Sequence, residues 1–155
     1  MKFVSRMLTL GVLAAGLALV GASPANASAG VQSFPPPPPR ICDFFITSVT
    51  ADDVLNDGGT DAVFLKMGTQ STVNTVDFVA GQTQTSSAFL NPFGFFVAPA
   101  KLPVSLHVKA GSLSAQIGTT INVSCIPATG AQLAFSNGDA RYRVTYDVTV
   151  EILEI

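Results

Sequence analysis

Four aspartates, Asp52, Asp53, Asp57 and Asp61, fall within ten residues around the Gly58-Gly59 pair, and Asp139 stands apart in an Asn137-Gly138-Asp139 turn. Carboxylates held this close repel one another unless a cation or solvent screens them. A calcium ion takes about 6 to 8 oxygen ligands, so these five acids are candidate calcium ligands and the loop is a candidate half-site. It is not an EF-hand. With Gly58 as that motif's glycine, Asp53 and Asp57 fall correctly, but Leu55 and Phe64 occupy ligand positions and the closing Glu is missing. The competing reading is that Asp, Asn and Gly are the residues turns favour.

Other chemistry is sparse. His107 is the only histidine. A three-histidine or His-Glu-His zinc site is therefore excluded, and neither HExxH nor the GxSxG elbow of serine hydrolases occurs. A Ser/His/Asp triad stays open, because its members can lie far apart in sequence, but nothing marks a particular serine. Paired carboxylates for sugar hydrolysis ordinarily sit among aromatic platforms, whereas this chain has no Trp, two Tyr and its acids mainly in one loop. No catalytic residue is assigned.

The chain opens with Lys2 and Arg6, an apolar run over 7–20 and an Ala25-Asn26-Ala27 site. That is the pattern of a secretory signal peptide ending at residue 27. The apolar run, about 14 residues, is short of the roughly 20 that a spanning helix needs, so no transmembrane anchor is expected after cleavage. Taking residues 1–27 from 155 leaves 128 residues, and taking Lys2 and Arg6 from the 8 basic residues leaves 6 against 10 acidic, a net charge of −4. No basic block marks a nucleic-acid partner. Two cysteines in an exported chain read as one disulfide, Cys42 with Cys125. It would close about 84 residues, worth about 4.5 kcal/mol in the chain-entropy model.

The elements that must position these groups are strands. Residues 28–40 form a small, polar and then proline-rich linker whose five prolines favour a stiff polyproline II spacer. From 41 to 155 no helical periodicity persists for ten residues. Candidate strands are 41–50, 61–69, 72–80, 83–90, 102–109, 119–126, 131–136 and 141–153, punctuated by Gly, Pro, Asn and Asp. In the last, Tyr142, Val144, Tyr146, Val148, Val150 and Ile152 alternate with polar residues, one face buried and one wet. In 102–109, Leu102, Val104, Leu106 and Val108 face inward and Pro103, Ser105, His107 and Lys109 outward, with Pro103 marking an edge or a strand start. Phe89, Phe93, Phe95 and Phe96 cluster around Pro92 and Gly94, where a turn is expected. Phe93, Phe95 and Phe96 could form a binding tip there, or fold back over the core.

The order of pieces in SVTADDVLNDGGTDAVFLKMG (48–68), LPVSLHVKAGSLSAQIGTTINV (102–123) and NGDARYRVTYDVTVEI (137–152) resembles C2-like β-sandwich domains, including an "IG" turn at Ile117-Gly118. The resemblance implies two packed sheets with calcium held between loops at one end, often against a membrane or a partner. It also implies acids in a second loop at 109–116, which here reads KAGSLSAQ and has none.

The expectation is an all-β, single-domain antiparallel sandwich of about eight strands with one disulfide. The leading function class is a secreted, non-catalytic binding or structural module acting through loops at one end on a protein, glycan or cell-surface ligand. The alternative is a secreted hydrolase with an unrecognised active site.

Overall fold

The structure, a computed structural model, describes residues 36–55 and 59–153. The signal-peptide assignment, most of the proline-rich linker and Asp57 lie outside the described residues. Among the described residues ten strands form two five-stranded antiparallel sheets packed face to face: an all-β sandwich. They are β1 (Arg40–Asp53), β2 (Asp61–Met67), β3 (Gln70–Ser71), β4 (Val76–Phe78), β5 (Thr83–Thr85), β6 (Phe93–Val97), β7 (Leu102–Ala110), β8 (Leu113–Val123), β9 (Ala128–Ser136) and β10 (Arg141–Ile152). One sheet runs β5-β1-β10-β9, with β6 also on β1. The other runs β3-β2-β7-β8, with β4 also on β2.

β1 is the spine of the first sheet. Its first half pairs with β6 and its second half with β5, while β10 runs along its whole other side. Cys42, Phe44 and Ile46 point into the core at even positions, then Val49 and Ala51 at odd ones. A side-chain period of two would turn the later residues to solvent. The β-bulge between Ile46 and Ser48 absorbs the extra residue, and Thr47 Oγ1 donates to the Thr145 carbonyl (3.1 Å) across it. β10 supplies Tyr142, Val144 and Val148 to the same core, as its alternation requires, and β2 and β7 face them with Val63, Leu65, Met67, Val104, Leu106 and Val108.

The disulfide links Cys42 to Cys125, with Cα atoms 5.6 Å apart. Cys42 is fully buried on β1. Cys125 lies just past β8 in the connection to β9 rather than within a strand, and is partly buried. The bridge therefore ties the two sheets together.

Three expectations about elements change. The stretch 72–80 is not one strand. Thr72 Oγ1 accepts the Leu65 N–H (3.1 Å), and Asn74 clamps residues 88–90, so the backbone leaves the sheet between β3 and β4. The stretch 83–90 stops as a strand at Thr85 and continues as a single 3₁₀ turn, Ser86–Ala88. The loop expected at 109–116 is mostly strand, a tight β7–β8 connection with Gly111 at φ 63°.

The Ile117-Gly118 "turn" is also within a strand. Gly118 (φ 68°) sits in a bulge of β8, where a Cβ would lie 2.9 Å from the Ser136 carbonyl oxygen of β9. The backbones of β8 and β9 approach closely there, and glycine is the residue that permits it.

Candidate functional site

The acidic residues gather at one end of the sandwich. Asp53 ends β1 opposite Arg141, Asp61 starts β2, and Asp139 sits in the turn just before Arg141. Their carboxylates do different things. Asp52 receives two hydrogen bonds from the Arg143 guanidinium, at 2.8 Å from Nε and 2.6 Å from Nη2, on the exposed face of the first sheet. That pairing holds the Asp52 carboxyl below the usual carboxylate range. Asp53 Oδ1 accepts the N–H of its neighbour Val54 (3.0 Å). Asp139 is exposed, and its turn is closed by Asn137 Oδ1 accepting the Asp139 and Ala140 N–H groups.

Asp61 turns inward and is 1% exposed. Its Oδ2 accepts the Tyr142 hydroxyl (2.5 Å) and the Leu55 N–H (2.8 Å), while Oδ1 is buried without a hydrogen-bond partner. Burial, then the bond to Asp61, raises the Tyr142 hydroxyl far above its ordinary value, so it stays a donor. The structure thus brings Asp52, Asp53, Asp61 and Asp139 to one end but gives Asp52 and Asp61 separate structural partners. Among the described residues no three Asp, Glu, His or Cys side chains form a metal-holding group.

Ser105 and His107 form a hydroxyl–imidazole pair on β7. Ser105 Oγ lies 3.0 Å from His107 Nε2. Both face outward from β7 as the alternation requires, but they are buried rather than wet. Phe64, directly across the β2–β7 ladder, stacks on the imidazole with centroids 5.1 Å apart, and Lys66 Nζ lies 5.9 Å from the centroid of the Phe64 ring. Burial first, and then Lys66, lowers the His107 pKa below its ordinary value. Among the described residues no carboxylate bonds the imidazole. Serine and histidine two apart on one strand, sealed under an aromatic ring, resemble a packed polar pair more than a nucleophile open to substrate.

The phenylalanine cluster is not a loop tip. Phe93, Phe95 and Phe96 lie in β6, paired with the first half of β1, whereas the acidic loop follows its second half. The two features therefore sit at opposite ends of β1. Gly94 shapes no turn: its φ is not positive, and its missing Cβ leaves room for Met67 Cβ (3.2 Å) and Leu102. Phe96 points into the core and is 7% exposed, a packing role. Phe93, Phe95 and Val97 point out and are 49%, 62% and 46% exposed. Phe45, opposite Phe93 on β1, adds a fourth apolar side chain at 38%.

The sequence alone assigned no functional role to Phe45, Ser105, Tyr142 or Arg143. The outward Phe93/Phe95/Val97 alternation was the available signal for β6, but Pro92 and Gly94 masked it. No protein-family model matches this sequence, and no curated protein matches it at a significant level.

Proposed function

We propose that this chain is a secreted, non-catalytic binding or structural module whose contact surface is the outer face of β6 together with Phe45. One observation carries the reading: three large apolar side chains of β6, Phe93, Phe95 and Val97, and Phe45 directly opposite Phe93 on β1 are held in solvent. A contiguous apolar patch of this kind on a soluble domain marks an interaction site. Export is supported by the signal-peptide pattern and by the Cys42–Cys125 bridge, which suits an oxidising compartment. A C2-like architecture belongs to the same proposal, supported by the two packed sheets and the strand, acidic loop and strand that open the domain. The test is a photoreactive benzoylphenylalanine at position 95, with position 113 as an exposed control, in the cells that produce the protein. Covalent adducts at 95 and none at 113 support the reading; equal or absent labelling at 95 rejects it.

A secreted hydrolase is the second reading, favoured by the 3.0 Å Ser105–His107 contact. The two separate with a fluorophosphonate probe, which labels an activated serine. The module reading expects no adduct on Ser105, whereas stoichiometric labelling there would make the protein a hydrolase.

A further inference from the structure

Among the described residues β6 has one bonded edge, against β1, and one open edge. Ile46 N–H donates to the Pro92 carbonyl (2.7 Å) and Ala98 N–H to the Arg40 carbonyl (3.0 Å). Both pairs continue the register that sets Cys42 opposite Phe96 and Phe44 opposite Gly94. Bonded and non-bonded pairs alternate in an antiparallel ladder, so the even-numbered residues exchange the β1–β6 hydrogen bonds. Phe93, Phe95 and Val97 therefore turn their N–H and C=O groups away from β1. Among the described residues the Val97 carbonyl alone of these has a partner, the Ala100 N–H at 3.0 Å. The same three residues expose their side chains. Open backbone groups and exposed apolar side chains thus coincide on one strand.

We propose that β6 pairs antiparallel with β6 of a second copy of this chain, about a two-fold axis at Phe95, fusing two five-stranded sheets into one of ten. This rests on the reading of the β6 face as the contact surface and names its partner. Register selects the axis. Only odd-numbered residues offer free groups, so odd must meet odd. Centring on Phe95 sets Phe93 against Val97, Phe95 against Phe95 and Val97 against Phe93 of the second copy, engaging Phe93 and Phe95 fully and Val97 through its N–H, since Ala100 already holds its carbonyl. A slip of two residues loses one of them, and a slip of one turns the donors away.

The side chains then match as well. Phe95 meets its twin and Phe93 meets Val97, the aromatic and aromatic–β-branched pairs that stabilise sheets. None of the devices that protect natural edges, an edge Lys, an edge Pro or an inward charge, occurs within Phe93–Val97. One acid, Asp43 on β1, stands opposite Phe95. Three strand spacings, about 14 Å, would separate the two copies of Asp43, beyond the roughly 8 Å screening length at physiological salt.

Size sets the strength. At about 150–250 Å² per aromatic side chain, Phe45, Phe93 and Phe95 expose on the order of 300 Å², short of the roughly 800 Å² per partner of a stable complex. The pairing is a reversible, concentration-dependent dimer rather than an obligate one.

Sedimentation velocity on the purified protein, from about 10 μM to 1 mM, tests this. The expected result is a rise from monomer toward dimer that Phe95→Lys weakens at least tenfold, with an unchanged melting temperature confirming the fold. Phe95→Cys provides an independent reading. Bonded antiparallel partners have Cα atoms about 5.5 Å apart, within disulfide range, so Phe95→Cys should cross-link at least tenfold faster than the exposed control Leu113→Cys. A protein monomeric at 1 mM whose Phe95→Cys variant gains no such advantage overturns self-pairing, as does a dimer that survives Phe95→Lys. The photoadduct at position 95 separates this failure from that of the wider reading. An adduct of twice the monomer mass supports the dimer; one of any other mass rejects the dimer and keeps the contact surface; no adduct removes both.

Discussion

Tyr142→Phe should be the most informative single-atom deletion in this protein. The hydroxyl donates at 2.5 Å to Asp61 Oδ2, and both side chains are 1% exposed. Phenylalanine keeps the ring and its edge-on packing against Phe78, 6.1 Å away. Only the hydrogen bond goes, leaving a buried carboxylate with the Leu55 N–H as its one described donor and Oδ1 already unpartnered. Removing a donor from a buried charged acceptor costs about 2–3 kcal/mol. For a domain of this size that is roughly 6–12 °C in melting temperature. Thermal and urea unfolding of Tyr142→Phe, Asp61→Asn and the double variant form a double-mutant cycle with an expected coupling of about 1.5–3 kcal/mol. The Tyr142 pKa is raised on folding, so its contribution is complete below the unfolded value near 10 and fades as pH rises beyond it. Tyr142→Phe should therefore flatten the alkaline arm of stability against pH. A melting shift under about 2 °C, or a coupling under about 0.5 kcal/mol, would refute the view that this bond anchors the acidic loop to the core.

Two further perturbations follow from the packing. Gly118→Ala places a Cβ 2.9 Å from the Ser136 carbonyl oxygen and should lower stability by about 2–4 kcal/mol, against about 1 kcal/mol for Gly111→Ala, which shares a positive φ but meets open space; equal losses in chemical denaturation would contradict the close approach of the sheets. His107, depressed below 6.5 chiefly by burial, should titrate by proton NMR below that value. Because the unfolded chain then binds the proton first, stability should fall as pH drops from about 6.5 through the folded midpoint, and a midpoint at or above 6.5 would contradict the sealed Ser105–His107 pair.

The parts of the fold legible in the sequence were those governed by local period. The Tyr142-to-Ile152 alternation, the inward Leu102/Val104/Leu106/Val108 set and the cysteine pair led to two packed antiparallel sheets with one bridge, as the structure has them. What escaped depends on residues meeting from far along the chain. Tyr142 and Asp61 are 81 positions apart, and Arg143 and Asp52 are 91 apart, so no local pattern announced either pair. His107 sits on the outward face the alternation assigns, but Phe64 covers it from the neighbouring strand, which a single-strand pattern does not contain. Pro92 and Gly94 read as turn signals. Proline in fact immediately precedes β6, and the glycine makes room for Met67 rather than a reversal of the chain.

Residue-resolved amide hydrogen exchange across β6 tests the central claim most directly, because it reads the open edge itself. In dilute protein the amides of Gly94, Phe96 and Ala98, bonded to β1, should be protected, while those of Phe93, Phe95 and Val97 exchange quickly. When the contact surface is occupied, by a second copy at millimolar concentration or by another strand, Phe93, Phe95 and Val97 should slow together. Odd-numbered amides already protected in dilute monomer, or still fast when the surface is occupied, would contradict β6 as the edge through which this protein binds.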